Sequence, residues 1–251
     1  MDLNSDLGEG FGVWRLGDDE ALLEIVTSAN VACGFHAGDP ATMRRVCAVA
    51  AASGVAIGAQ VSYRDLAGFG RRRIDYDLDE LRDDIVYQIG ALAAFASCAG
   101  SRVRYVKPHG ALYNTAAVDE GQAGAVVAAV RDVGPALPLL CQPGSALARA
   151  GLSAGLRVVA EAFADRAYLP DGRLVPRSSA GAVIDDPVAV EERTVRMALG
   201  GSVVAVDGSV LSLPVESICL HGDTPGAVHL ASRVRAALAD AGVPLAPFVP
   251  D

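Results

Sequence analysis

Seven short apolar runs, at residues 2–5, 28–32, 55–59, 104–106, 138–141, 157–160 and 217–220, are mostly separated by segments of helix length. This alternation constrains the fold more than any other feature. Parallel strands cannot be joined by a tight turn, so each run reads as a buried parallel strand and each long connection as a crossover helix. The helix ends carry their own signals. Asp39-Pro40 places an N-cap before a proline at the first helical position, predicting a helix to about residue 53. Asp77 with Glu80 three residues on resembles a capping box. The helix it opens carries Ile85, Ile89, Leu92 and Phe95 on one stripe and runs to Gly100. Further helices are predicted from Asp186-Pro187 to Gly200-Gly201, from Thr224-Pro225 to near Gly242, and over about residues 119–133. Residues 203–213 differ: Asp207-Gly208 between two alternating runs predicts a β-hairpin, inserted before the last strand.

The expectation is therefore one α/β domain over residues 1–251 built on a parallel sheet, of a length that fits a single α/β barrel. Composition agrees: 51% hydrophobic and 20% charged residues describe a globular chain. A net charge of -9 excludes a groove that tracks nucleic-acid phosphates. The longest weakly polar stretch, residues 47–59, is broken by Ser53, Gly54 and Gly58 and is too short to span a membrane. The first residues, Met1-Asp2-Leu3-Asn4-Ser5-Asp6, have neither a basic nor an apolar leader region, so no signal peptide is expected. Five cysteines without a Cys-x-x-Cys pair predict reduced thiols and a cytoplasmic location.

A polar or ionisable residue follows each predicted strand: Asp6, then Cys33 and His36, Gln60 and Ser62, Lys107 and His109, Gln142, Glu161, and His221 with Asp223. In a closed parallel barrel these ends meet on one face, where barrel active sites are built. Three of the four histidines fall there and His229 falls in a helix. Lys107 is the sole lysine among 21 basic residues. Its background uses arginine wherever a positive charge serves, so the lysine marks a place where a compact ammonium matters. Glycines surround these residues in Gly34-Phe35-His36-Ala37-Gly38-Asp39, Lys107-Pro108-His109-Gly110 and His221-Gly222-Asp223. The helices starting near Asp39 and Pro225 are expected to aim free N–H groups at the same face, suiting a carboxylate or phosphate.

Six ordered blocks resemble the LamB/YcsF family. They are residues 2–12 (Asp2-Leu3-Asn4-Ser5-Asp6-Leu7-Gly8-Glu9-Gly10-Phe11-Gly12), Asn30 to Asp39, Gly68-Phe69-Gly70-Arg71-Arg72, Lys107 to Asn114, Glu161 to Arg166, and His221-Gly222-Asp223. The resemblance implies a TIM-like (β/α)7 barrel of the glycoside hydrolase/deacetylase type. The seven-strand count stands independently of it. The resemblance also implies the activity of a prokaryotic ATP-dependent 5-oxoprolinase, a cyclic-amide hydrolase that opens 5-oxo-L-proline to L-glutamate with 5-oxoprolinase subunits B and C, using ATP with Mg²⁺. Metal-dependent barrels of the deacetylase type use an Asp after the first strand and two His from later strands. Asp6 and His109 could supply two ligands, but this chain has Gln60-Val61 where many relatives carry His-Pro. Gln60 is a poor third ligand, so no tightly bound transition metal is expected.

A lactam whose oxygen is phosphorylated becomes electrophilic at the ring carbon, and water attack then needs a general base and fixed positive groups. On that chemistry Asp6 or His36 is the expected base and His109 its acid–base partner. Lys107 would hold phosphate or polarise the oxygen. Arg166 and Arg177 are expected to take the substrate carboxylate, with Asn4, Asn30 and Gln60 also contacting substrate. Glu161, His221 and Asp223 complete the set. No phosphate loop ends at Lys107, and Gly8-Glu9-Gly10 is followed at position 13 by Val13, not glycine, so ATP has no standard site here. Two other readings stay open: a stand-alone metal-dependent deacetylase or amide hydrolase, and a non-catalytic substrate-binding subunit.

Overall fold

The computed structural model describes residues 1–224 and 226–249. Seven parallel strands close into a barrel: β1 (Asp2–Leu7), β2 (Ser28–Ala32), β3 (Ala56–Val61), β4 (Val103–Pro108), β5 (Leu139–Cys141), β6 (Val158–Phe163) and β9 (Ser217–His221), with β9 pairing back onto β1. The predicted fold class is met. The helices α1 (Asp19–Leu23), α2 (Pro40–Ala52), α3 (Leu78–Cys98), α4 (Gly110–Ala116), α5 (Glu120–Val133), α6 (Ala146–Ser153), α7 (Pro187–Gly200) and α8 (Ala227–Asp240) connect them. The predicted hairpin is present as β7 (Ser202–Val204) and β8 (Val210–Ser212), an antiparallel pair outside the barrel.

The cap signals act as predicted. Asp39, Asp77, Asp119 and Asp186 each accept a backbone N–H of the first turn they precede. Gly201 ends α7 in the left-handed conformation that a Cβ disfavours. The predicted start of the last helix at Pro225 lies outside the described residues, and α8 begins at Ala227. The helices α1, α4 and α6 are not foreseen because none exceeds eight residues, too short for a periodic stripe. Because α4 starts directly after His109, residues 107–114 are a strand end and a helix start rather than a loop.

The strands run further than their apolar character suggests. Asp6, Gln60, Lys107, Glu161 and His221 lie within strands rather than beyond them. Side chains alternate between the two faces of a strand. Leu3, Val31, Ile57, Ala59, Val106 and Ile218 face outward and form one core with Val46, Ile85, Leu92, Val126, Val130 and Val234 of the helices. The alternate positions turn a polar set inward. Asp2 accepts from Ser28 and Ser217, Asn4 donates to Ser217, Asn30 donates to Asn4 and Asp6, and Tyr105 donates to Asn30. An apolar cluster of Ala56, Tyr105, Leu140, Val159 and Val249 fills the base of the interior, where Phe248 packs against Tyr105.

Tyr105 fits inside because its register neighbour on β3 is Gly58; a Cβ there would run into the Tyr105 ring. Gly58→Ala is therefore expected to cost about 1–3 kcal/mol of stability, read as a lower urea midpoint. Gly90→Ala, on α3 with nothing within 4 Å of its added Cβ, serves as the control and is expected not to destabilise.

Candidate active site

Period-two alternation brings Asp6 of β1, Lys107 of β4 and Glu161 of β6 to the barrel axis. The Lys107 ammonium lies 3.0 Å from Asp6 Oδ1 and 2.7 Å from Glu161 Oε1, and donates to Cys219 Sγ at 3.2 Å. Its relative exposure is 1%, and Asn4 Oδ1 lies 3.4 Å away. Burial alone would lower the Lys107 pKa; Asp6, Cys219 and Glu161 override it and hold the ammonium well above its ordinary value. Burial would also raise Asp6, but Lys107, with His221 and His109, holds its carboxyl below the usual carboxylate range. Glu161 shifts the other way: its burial outweighs Lys107, and its pKa is raised. Lys107 is thus a charge fixed in a cage rather than a mobile arm.

Above this charge a cavity of about 510 Å³ opens at the carboxyl ends of the strands. Asp6, Lys107, His109, Gln142, Phe163 and His221 line its inner part. Arg71, Arg73, Arg166, Arg173 and Arg177 line it as well, an anion-attracting wall in an acidic protein. His221 is held by Asp165, whose carboxylate oxygens lie 2.9 and 2.8 Å from Nδ1 and which also accepts the His221 backbone N–H. Phe163 stacks on the His221 ring at 5.5 Å. Burial would raise the Asp165 carboxyl, and His221 overrides it and lowers it. A carboxylate on Nδ1 fixes the proton there and leaves Nε2 able to accept one.

Beside the cavity a second group forms. The His36 and His109 rings stack at 4.1 Å, and their Nε2 atoms lie 3.9 and 3.5 Å from Glu9 Oε1. Gln60 joins them, donating from Nε2 to Glu9 at 3.1 Å with its Oε1 3.2 Å from His36 Nε2. Burial lowers His36 to about 4 and His109 well below its ordinary value, and raises Glu9, helped by repulsion from Asp6 and Asp223.

Several expectations change. His36 does not line the cavity, and Asp6 is held as an anion by Lys107, which makes both poor candidates for the base. Asn4, Asn30 and Gln60 are fully buried and bonded to one another's neighbours rather than open to a ligand. Cys33 and Ser62 also stay outside the cavity lining. The Arg166 guanidinium donates to the carbonyls of Ala182 and Val175, shaping the loop that carries Arg177, so Arg177 is the freer of the two. Asp223 meets the cavity only through Arg71, its partner at 2.6 Å. The α2 N-terminus is not free, because Asp39 accepts from Thr42 and from Gly12. His229 is exposed on α8, as a surface residue should be. The metal pair Asp6 and His109 does not fit: Asp6 Oδ1 already receives Lys107 and Asn30, so an ammonium stands where a cation would bind.

Three participants escape a reading of strand ends. Glu9 lies between Gly8 and Gly10 just past β1, Asp165 lies four residues past Glu161, and Arg71 sits in a long connection. The signal available for Glu9 is an acidic residue in a glycine turn directly after a strand. Nothing in spacing points Arg71 at Asp223, 152 positions away.

A barrel closed by seven parallel strands, with a polar interior opening at their carboxyl ends, places the protein among the TIM-like (β/α)7 barrels. Within that class the chain belongs to the LamB/YcsF family, whose model matches residues 1–250. It is 64% identical over 248 residues to the A subunit of the 5-oxoprolinase of Mycobacterium avium (strain 104), covering 99% of this chain and 98% of that one. It is 62% identical to that of Streptomyces coelicolor (strain ATCC BAA-471 / A3(2) / M145), covering 99% of each. The crystal structure of a lactam utilization protein from Thermus thermophilus superposes with a TM-score of 0.94 at 44% identity, covering 98% of this chain and 99% of that one.

Lys107→Met leaves two carboxylates buried without their cation, and is expected to destabilise the fold by about 3–5 kcal/mol in urea unfolding at pH 7. Adding Asp6→Asn and Glu161→Gln removes the stranded charges and is expected to recover part of that loss. A single-variant loss under ~1 kcal/mol would deny the cage its role.

Proposed function

We propose that this chain is the A subunit of a prokaryotic 5-oxoprolinase and opens 5-oxo-L-proline to L-glutamate at the expense of ATP, together with subunits B and C. The observation that carries the reading is full-length identity of 60–64% to relatives of that name in Mycobacterium and Streptomyces. The site supports it chemically. 5-Oxoproline is a small anion with an unreactive amide, and the cavity pairs an arginine wall with a fixed ammonium and a His–Asp pair. In this reading ATP with Mg²⁺ is a co-substrate of the assembled enzyme, and it is not held by a standard phosphate loop of this chain. Five free cysteines and the lack, among the described residues, of a helix long and apolar enough to cross a membrane support action in the cytoplasm.

Transfer of the γ-phosphoryl group to the lactam oxygen makes the ring carbon electrophilic. One water adds to that carbon, giving one proton to a base, and the ring nitrogen takes a proton as the carbon–nitrogen bond breaks, which leaves an acyl phosphate. A second water then hydrolyses that acyl phosphate, giving the side-chain carboxylate of L-glutamate and free phosphate. In our assignment His221 is the base, accepting at Nε2, and returns the proton to the nitrogen, while Asp165 stabilises the imidazolium. Arg177, with Arg71 and Arg173, binds the substrate carboxylate. Lys107 places a positive charge beneath the reacting centre without leaving its cage. His109 contacts the substrate from the cavity wall. Oxygen developing negative charge is thus met by a charge already in place, which needs no reorganisation during the reaction.

The class is tested by glutamate formation from 5-oxoproline and ATP, with this chain alone and then with subunits B and C. Turnover only in the full mixture is expected; no glutamate in either overturns the reading. For the assigned base, Asp165→Asn is expected to lower kcat of the assembled enzyme by about 10²-fold or more with KM for 5-oxoproline little changed. An unchanged kcat would remove His221 from that role.

A further inference from the structure

Of the group beside the cavity only His109 has a part in the chemistry above, yet the whole group is built like a site. We propose that Glu9, His36 and His109 bind one divalent first-row transition-metal ion, Zn²⁺ being the reference case. The inference is independent of the substrate assigned above. One donor atom from each residue lies within 4.8 Å of the other two, and all three side chains are buried. The separations from Glu9 Oε1, 3.9 Å to His36 Nε2 and 3.5 Å to His109 Nε2, approach the donor spacing of about 3.3 Å that a tetrahedral ion with bonds of ~2.0–2.1 Å imposes. Binding requires a small contraction and a modest splaying of the two stacked rings.

Unmet bonding points the same way. Nδ1 of both rings is buried without a hydrogen-bond partner; His36 Nε2 lies 3.2 Å from Gln60 Oε1, a contact that the ion replaces. A ring proton can sit on Nδ1 and leave the Nε2 lone pair to an ion. The side-chain hydrogen bond Glu9 receives is that from Gln60, and the basic groups within 4 Å of it, among the described residues, are these two imidazoles. The nearby cations are engaged elsewhere, Lys107 by Asp6 and Glu161 and Arg71 by Asp223. A buried carboxylate facing two imidazole nitrogens therefore lacks a cation, and a divalent ion supplies it.

The donors choose the ion class. Two imidazoles and one carboxylate suit Zn²⁺, Co²⁺ or Ni²⁺, whereas Mg²⁺ and Ca²⁺ call for oxygen ligands. Gln60 is then a positioning residue: its amide donates to Glu9 and orients the carboxylate, as outer partners of metal ligands do. The obstacle that Gln60 raises as a third ligand falls away, because Glu9 occupies that role. Because His109 also lines the cavity, the ion would stand at its edge.

The test uses the untagged full chain, stripped with chelator and titrated with Co²⁺ and Zn²⁺. Wild type is expected to retain one equivalent by elemental analysis, to give a Co²⁺ ligand-field band, and to melt at a higher temperature with Zn²⁺. Glu9→Gln, which keeps size and shape, is expected to weaken binding at least tenfold. His36→Ala and His109→Ala are expected to abolish the band, while His229→Ala on the exposed face of α8 leaves it unchanged. No retained metal and no band in wild type would overturn the proposal. So would undiminished affinity in Glu9→Gln, or an equal loss in His229→Ala. If either histidine variant fails to fold by circular dichroism, the wild-type band and the Glu9→Gln affinity decide.

Discussion

The structure depends on an ammonium buried on the axis of a barrel. A charge removed from water is tolerated only when opposite charge and hydrogen bonds replace the solvent. Asp6 and Glu161 supply the charge, from strands on opposite sides of β4 in the ring, and Asn4 and Cys219 complete the contacts. The barrel must hold three strands at fixed height for this to work. The layer below does so: Asn30 bridges Asn4 and Asp6, Tyr105 caps Asn30, and Asp2 gathers Ser28 and Ser217. A polar network of this kind fixes register more strictly than an apolar filling would, since a slip of one residue leaves every member unsatisfied.

From that fixed charge the rest of the carboxyl face divides into two compartments of different character. One is open to the cavity and rich in positive charge, with His221 held by Asp165. The other is closed, with His36, His109, Glu9 and Gln60 in mutual contact. His109 belongs to both, since it lines the cavity and faces Glu9. Histidines that hold similar places at the ends of their strands thus do different things. His221 has a carboxylate in hydrogen-bond contact with Nδ1 and the cavity beside it, whereas His36 faces Glu9 at 3.9 Å and does not line the cavity. Arg71 ties the wall of the cavity to the β9 end through Asp223, so the connections after β3 and β9 share one ion pair.

The architecture is legible in the sequence because it rests on local rules. Aspartates before proline or before an apolar stripe mark helix starts, Asp207-Gly208 marks a hairpin, and the apolar runs mark strands. Where the sequence falls short, the reason is physical. Strand ends read too early because Asp6, Gln60 and Lys107 look like loop residues, although their backbone continues the ladder toward a polar interior. Short helices such as α4 carry too few residues to show a period. Arg166 and Arg177 look alike in sequence and both line the cavity, yet the Arg166 guanidinium is committed to two backbone carbonyls.

The sequence alone determined the parallel alternation, the hairpin, the convergence of ionisable residues on one face, and the singular place of Lys107, because each follows from periodicity, turn chemistry or composition. Only the tertiary structure decided which of those residues meet. Barrel closure sets the height of each strand relative to its neighbours. That height puts Lys107 between Asp6 and Glu161, gives His221 to Asp165, and brings Glu9 to the two stacked imidazoles. Pairing across the barrel depends on stagger between strands far apart in the chain, and no local feature of the sequence carries that quantity.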